Sequence, residues 1–472
     1  MSDMKATVEP TKQGFSVCGY EKIEYDFEFL DGVFDIKNSQ LAEHYQTWQR
    51  CLAVMDLNIF QLYGGRMQTY FDHYDIKLKI HKTMIGEKAK SMDTMLKIVD
   101  SMTEFGIYRK EPVLVVGGGL VTDVAGFACA AYRRNTDYIR IPTTVIGLID
   151  ASVSIKVAVN YGRYKNRLGA YHAPMHTFLD FTFLRTLPVA QIRNGFAELI
   201  KISSCAHKST FDLLDRYCED LIETAFGRLG DAPKEVRIAA DRICRAGIHE
   251  MLKLETPNLH EIMLDRVIAY GHTWSPLHEL VPETPLRHGH AISIDMAYSA
   301  TLSNLRGLLS SSDHERILKL FSRAGLSMDH HQFDGPLLKQ ATSAILKTRD
   351  GKLRAAVPVS PMGECVFLND VSHDEMCQAL QVHKKLMHKF PRRGEGLDAY
   401  VDSSDTGYTI QGATVEKGMG LDSAKSDNHA STKRENKTPR AFSDHIQKDI
   451  HDLAHGMDGR IPVVVANGSG NA

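Results

Sequence analysis

Glu198, His272 and His288 each stand in a local sequence that suits metal ligation: NGFAELIK, IAYGHTW and PLRHGHAIS. One carboxylate and two neutral imidazoles form a donor set for a borderline divalent cation such as Zn²⁺ or Co²⁺, with positions left open for substrate oxygens. On a helix, Asn194, Glu198 and Lys201 fall at i, i+4 and i+7, so all three project from one face. Any one of these residues alone is more often an ordinary surface or core group. Together, and downstream of a glycine-rich turn, they outline a metal centre with a basic group beside it.

That turn contains Gly117, Gly118 and Gly119. Residues 112–118, PVLVVGG, have the apolar, β-branched character of a buried strand, and VTDVAGFACAAYRR (121–134) spaces its apolar residues as a helix does. Strand, glycines and helix N-terminus let backbone amides approach a pyrophosphate. The run is not the GxGxxG pattern, so a plain tight strand-to-helix turn stands as the alternative. Asp123 reads either as a hydrogen-bond acceptor for a cofactor or as an acid favoured by the helix dipole.

Further charge lies where a packed core has no need of it. The largely apolar stretch RIPTTVIGLIDASVSIKVAVN (140–160) carries Thr143, Thr144, Asp150 and Lys156, and YKNRLGAYH follows with Lys165, Asn166, Arg167 and His172. A charge inside an apolar stretch is costly unless paired or functional. Clustered Lys, Arg and Asn suit a phosphorylated, polyhydroxylated substrate. A solvated basic loop is the competing reading for Lys165 and Arg167.

In this order, GGGLVTDVAGF, RIPTTVIGLIDASVSIK, KNRLGAYH, NGFAELIK, YGHTW and HGHAISIDMA resemble the sugar phosphate cyclase family, typified by 3-dehydroquinate synthase, over roughly residues 15–395. Where that synthase has a GGKT-like run this chain has SIKV, and Pro276 replaces a second histidine. With GHTWSP and TRDGKLR, these departures are similar to the branch acting on sedoheptulose 7-phosphate. The resemblance implies Glu198, His272 and His288 as metal ligands. It implies NAD on Asp56, Glu87, Lys90, Gly118, Gly119, Asp123, Thr143 and Thr144, and a catalytic and substrate set of Asp150, Lys156, Lys165, Asn166 and Lys201. Lys352 and Arg354 add a late basic contribution.

The implied reaction oxidises a secondary alcohol transiently, expels phosphate, returns the hydride and closes a carbocycle by an intramolecular aldol step. Dehydration then gives desmethyl-4-deoxygadusol (demethyl-4-deoxygadusol), with 2-epi-5-epi-valiolone as the alternative product. The sequence of steps is redox-neutral. Valiolone-forming members typically carry an AKTG-like run where Ile155 to Ala158 stand, and Ile155, Val157 and Ala158 are expected to shape the pocket around Lys156. Two other readings stand: a metal-dependent alcohol dehydrogenase, against which VIGLIDAS replaces its GTGSE-like run and Glu198 its aspartate, and a non-catalytic binding protein that keeps the fold, against which Glu198, His272, His288 and Lys201 argue.

The elements that must position these groups follow from periodicity. FEFLDG, CLAVMD, IKLKI, PVLVVGG and YIRIP read as strands alternating with helices, an α/β pattern. From about 190 to 390 helical patterns dominate, among them QIRNGFAELIKISSCAHK, STFDLLDRYCEDLIETAF and HERILKLFSRAGL. The expected organisation is a Rossmann-like NAD-binding α/β domain (1–188), a mainly α-helical metal and substrate domain (189–395) and a polar tail (396–472), with the site in the cleft between the first two. Residues 402–440 are expected to be poorly ordered, and RIPVVVANG is a candidate strand.

The 472 residues, 43% hydrophobic and 24% charged, can build two sizeable cores. A net charge of -2 gives no reason to expect nucleic acid or an anionic membrane as partner. The first residues lack the apolar core of a signal peptide, no run approaches a membrane span, and eight cysteines lack CxxC spacing. A cytoplasmic homodimer acting on a small sugar phosphate is the expected setting.

Overall fold

Apolar, β-branched runs can be buried on both faces, and two of them, in Arg50–Asp56 and Val113–Gly117, lie inside a six-stranded parallel sheet. Its order is Asp26–Phe29, His176–Leu179, Tyr138–Pro142, Val113–Gly117, Arg50–Asp56, Lys77–Thr83. The computed structural model describes residues 5–393 except 85 and 163, together with 399–401, 409–410 and 413–414. These belong to one compact unit, residues 1–415.

Alternation along the strands feeds two separate cores. Cys51, Ala53, Met55, Leu114 and Val116 pack with Met67, Tyr70 and Phe71 of the Leu57–His73 helix. Leu52, Val54, Val113 and Val115 pack on the opposite side with Met95, Ile98 and Met102 of Met92–Phe105 and with Val121, Val124 and Ala128 of Gly119–Ala131. Both faces are therefore covered by helices, as a parallel sheet requires.

After Arg50–Asp56 the chain runs outward to the Lys77–Thr83 edge, then returns to Val113–Gly117 on the other side. The C-terminal ends of Arg50–Asp56 and Val113–Gly117 thus open on a topological switch point, where open α/β sheets bind ligands. The five expected strands are present. The sixth, His176–Leu179, was not expected.

The C-terminal half is mainly helical. The His288–Leu305 helix is buried at every residue from Gly289 to Ser303, so it forms the centre of this half. It crosses Val189–Ala206 where Gly289 meets Asn194, whose Oδ1 accepts from the Gly289 N–H at 2.5 Å. A methyl on Gly289 would lie 2.2 Å from the Asn194 carbonyl oxygen, so only glycine lets the two helices approach this closely.

Two expectations change. The 209–226 stretch is not one helix but two, Lys208–Arg216 and Cys218–Glu223, broken at Tyr217 (φ -111, ψ 20). The helical half also holds an antiparallel strand pair, Ala355–Val359 with Glu364–Leu368. Two further hairpins were not evident in the sequence: Lys5–Pro10 with Phe15–Tyr20, and Lys156–Tyr161 with Tyr164–Tyr171. Most of 402–440, and RIPVVVANG, lie outside the described residues. No helix among the described residues is long and apolar enough to cross a membrane.

Gly195 lies on the Val189–Ala206 helix where its Cβ would come 2.3 Å from Val145 Cβ and 2.9 Å from the Ile146 nitrogen. Gly195→Ala should therefore displace this helix and lower stability by about 1–3 kcal/mol, the usual cost of overpacking. Thermal unfolding checks this, and an unchanged Tm would mean that the helix is free to shift.

Candidate active site

The helix crossing brings a buried carboxylate against two imidazoles. Glu198 Oε1 lies 3.0 Å from His288 Nε2 and 3.9 Å from His272 Nε2, and the two Nε2 atoms are 3.3 Å apart. One ligand atom from each residue lies within 4.8 Å of the others. Gly271, at φ 76, makes the sharp turn that presents His272, and its Cβ would strike Met296 Cγ at 2.5 Å. His272 Nδ1 is 3.2 Å from the Tyr270 carbonyl oxygen, and His288 Nδ1 is 3.1 Å from Glu279 Oε2. With Nδ1–H donating in both rings, both Nε2 atoms face the carboxylate.

Electrostatics fits a cation here. Burial, then Lys201, pushes His272 down to about 3, leaving it neutral. Burial opposes ionisation of Glu198, yet Lys201 and the two imidazoles hold its carboxyl well below the usual carboxylate range. Burial likewise disfavours charge on His288, but Glu279 and Glu198 outweigh it and raise the imidazole to about 9. A proton on His288 thus stands where a divalent cation would sit, and the donor set suits such an ion.

Lysines surround this centre. Lys201, one turn beyond Glu198 on the same helix, places Nζ 2.5 Å from Glu198 Oε2 and 3.4 Å from Asp150 Oδ2. Asp150 belongs to the Gly147–Ala151 turn, where burial raises its carboxyl to about 6 against the pull of Lys201. Lys165 Nζ lies 2.7 Å from Glu279 Oε1 and 3.4 Å from Glu87 Oε1. Lys156 Nζ lies 2.9 Å from Glu261 and 3.1 Å from Glu255, and Glu261 also pairs with Arg266. Burial works against the charge on Lys156 and Lys165, but these carboxylates keep both ammonium groups firmly protonated.

The nucleotide-side residues gather around the switch point. Gly118 is the N-cap of Gly119–Ala131 and supplies no side-chain cap, which leaves first-turn amides available to an anion. A Cβ on Gly118 would meet Thr144 Cγ2 at 3.0 Å, and one on Gly117 would meet Asp56 Oδ2 at 2.8 Å. Asp56 caps the Leu57–His73 helix through the Ile59 N–H. Thr144 Oγ1 accepts from the Gly147 N–H at 3.0 Å, and Thr143 Oγ1 is buried without a hydrogen-bond partner. Lys90 Nζ lies 2.5 Å from both Asp123 Oδ2 and Asn166 Oδ1, while Glu87 Oε1 accepts from Asn160 Nδ2 at 2.8 Å. A glycine turn, a bare helix N-terminus and an orphaned hydroxyl fit a dinucleotide.

Not every sequence candidate arrives here. Arg167 is exposed and sits over the Tyr164 ring, and His172 faces the Thr136 carbonyl. Arg354 is held by Asp350 and Asp265, and Lys352 is exposed. The expectation that Val157 shapes the pocket around Lys156 is corrected. Strand alternation turns Val157 to the opposite face, where it packs against Gly126, and Ile155 is likewise buried. Ala158, two residues on, shares the face of Lys156.

Glu279, Glu255, Glu261 and Asp295 went unnoticed in the sequence. Asp295, buried in the His288–Leu305 helix, accepts from the Trp274 and Ser275 N–H groups at 2.6 and 2.8 Å and pins the His272 loop to that helix. Among the acids of the site only Glu198 gave a usable signal, because Glu255, Glu261 and Glu279 face Lys156 or Lys165, which lie far from them in sequence.

Residues 80–194 match the 3-dehydroquinate synthase N-terminal family, and 195–348 match its C-terminal counterpart. The chain is similar to a demethyl-4-deoxygadusol synthase of Trichormus variabilis, with 54% identity over 400 residues, 85% of this chain and 97% of that protein. A 2-epi-5-epi-valiolone synthase of an Actinoplanes species is 38% identical over 379 residues, 79% of this chain and 94% of that one. Among solved structures, the 2-epi-5-epi-valiolone synthase of Streptomyces hygroscopicus subsp. jinggangensis, with NAD+ and Zn2+ bound, superposes with a TM-score of 0.73 at 35% identity. That match covers 78% of this chain and 99% of that one.

Asp56 yields a pH test at the switch point. Burial raises its carboxyl from 3.8 to about 6. A raised folded-state value stabilises fully below the unfolded value, and that contribution is lost as pH rises through about 6. Asp56→Asn keeps a capping oxygen and carries no charge at any pH. The stability of the variant relative to the native chain should therefore improve as pH rises from 4 to 7.5, by up to roughly 3 kcal/mol. Thermal melts at both pH values measure this, and a pH-independent gap would contradict it.

Proposed function

This chain belongs to the sugar phosphate cyclase family, the family of 3-dehydroquinate synthase, and we propose that it converts sedoheptulose 7-phosphate to demethyl-4-deoxygadusol. The observation that carries the product assignment is the 54% identity to a demethyl-4-deoxygadusol synthase along nearly all of that protein, against 38% to a 2-epi-5-epi-valiolone synthase. Because phosphate leaves by elimination, the enzyme is assigned as a carbon–oxygen lyase. A cytoplasmic setting suits a sugar phosphate substrate and eight free thiols.

Glu198, His272 and His288 would hold zinc or cobalt, and Gly118, Gly119, Asp56, Thr143, Thr144, Glu87, Lys90 and Asp123 would hold NAD. When bound, NAD supplies reversible oxidation of an alcohol and the metal supplies Lewis-acid polarisation of an oxygen. The protein's own part is electrostatic and positional. Lys201 lies within reach of both Glu198 and Asp150, so it can stabilise negative charge that develops on the substrate near the metal centre. Asp150, held at about 6, can accept and return a proton near neutral pH. Lys156 and Lys165 are fixed by paired carboxylates and present preorganised positive charge to a phosphate or hydroxyl. Asn166, braced by Lys90, offers a polar contact at the edge of the same region.

The product separates this reading from its nearest rival. Incubation with sedoheptulose 7-phosphate, NAD⁺ and zinc should yield a conjugated enone that absorbs strongly in the ultraviolet and has lost one water relative to 2-epi-5-epi-valiolone. A saturated cyclitol ketone as sole product would overturn the assignment in favour of valiolone formation.

A homodimer is also part of this reading, supported by the N-terminal hairpin. Cross-strand pairs Ala6–Gly19, Val8–Val17 and Pro10–Phe15 give it one wholly apolar face. Val8, Phe15 and Val17 are 64%, 78% and 72% exposed. A lone two-stranded hairpin is marginal in water, whereas four strands sharing an apolar face are not. The edge strand Lys5–Pro10 is self-complementary about Thr7: an antiparallel second copy would set Lys5 opposite Glu9 and Ala6 opposite Val8. Sedimentation should find a dimer that Val8→Glu with Val17→Glu converts to monomer. An unchanged dimer in the double variant would place the interface elsewhere.

A further inference from the structure

We propose that Glu279 is a positioning residue that sets the orientation of His288 and ties it to Lys165, an inference that rests on the metal reading above. Glu279 is 5% exposed and touches an imidazole and an ammonium group at once. Its Oε2 lies 3.1 Å from His288 Nδ1, and its Oε1 accepts from Lys165 Nζ at 2.7 Å. A buried carboxylate is costly unless paired, and these two groups supply the pairing. Accepting from Nδ1–H directs the lone pair of Nε2 toward Glu198 and His272. An outer carboxylate of this kind fixes the tautomer of a metal-ligating histidine and raises its basicity.

The placement of Glu279 is determined by several independent contacts. Its backbone N–H donates to the Ser275 carbonyl at 2.8 Å, and its carbonyl accepts from the Leu286 N–H at 3.1 Å. Asp295, on the same helix as His288, anchors the start of the short helix Ser275–His278 that ends at Glu279. The loop carrying His272 and Glu279 is thereby fixed to the helix carrying His288.

From Glu279 the contacts run on toward the glycine turn. Lys165 also reaches Glu87, Glu87 accepts from Asn160, Asn160 Oδ1 accepts from the Asn166 N–H at 2.9 Å, and Asn166 Oδ1 meets Lys90, which pairs with Asp123. Glu279 is the member of this chain that contacts a metal-centre residue. It therefore sets the position of Lys165 together with that of His288.

The test compares metal-free full-length native protein with Glu279→Gln and Glu279→Asp, titrated with Co²⁺ by visible absorption and then competed with Zn²⁺. Metal-free thermal unfolding is measured in parallel. The expected result is a metal affinity about 10–100-fold weaker in Glu279→Gln, with a metal-free Tm near the native one. Glu279→Asp, which keeps the charge, should recover part of the affinity. Native-like affinity in Glu279→Gln would overturn the proposal while leaving the metal reading intact. Weakened affinity accompanied by an equal fall in metal-free Tm in both variants would assign Glu279 a purely structural role and overturn it as well. Failure of the native protein itself to bind cobalt would remove the metal reading and this proposal together.

Discussion

A fully buried carboxylate is the constraint on which this molecule turns. Glu198 sits at the crossing of two helices, where ionisation is expensive unless positive charge stands beside it. Lys201 meets one oxygen, and the imidazoles of His288 and His272 approach the other. Each of those partners is in turn held by an acid or a carbonyl: Asp150 for Lys201, Glu279 for His288, the Tyr270 carbonyl for His272. The result is a set of alternating charges in which each buried ionisable group has an opposite or dipolar partner.

The close helix crossing depends on residues with little or no side chain. Gly289 lets His288 approach Glu198, Gly271 turns His272 inward, and Gly195 seats the Glu198 helix against Val145 and Ile146. On the sheet side the same logic applies at Gly117 and Gly118, which leave backbone facing Asp56 and Thr144 at the switch point. The fold thus offers a charge-rich centre and a bare helix N-terminus within one compact unit, joined by the Lys165–Glu87–Asn160–Asn166–Lys90 contacts.

Much of this was legible in the sequence, for identifiable reasons. Strands buried on both faces are continuous apolar runs, so Arg50–Asp56 and Val113–Gly117 stood out, whereas the four-residue His176–Leu179 did not. Glu198, His272 and His288 were legible because each lies in a distinctive local run. Glu279 was not, since one of its two partners, Lys165, is 114 positions away and it ends a short helical turn with no periodicity. The misreading of Val157 had a simpler origin: adjacency to Lys156 along a strand places a side chain on the opposite face. The N-terminal hairpin alternates in Lys5–Pro10 but not cleanly in Phe15–Tyr20, and its turn residues Thr11 to Gly14 give no strong hairpin signal.

Transient oxidation, elimination, reduction and cyclisation at one site leave no net redox change. The most direct measurement is the ratio of cyclised product to NAD⁺ when the cofactor is supplied far below the sugar phosphate. Many equivalents of product per NAD⁺, with no accumulation of NADH, are the expected result. NADH formed in step with product, or product limited to one equivalent of NAD⁺, would contradict the account and support a dehydrogenase built on the same fold.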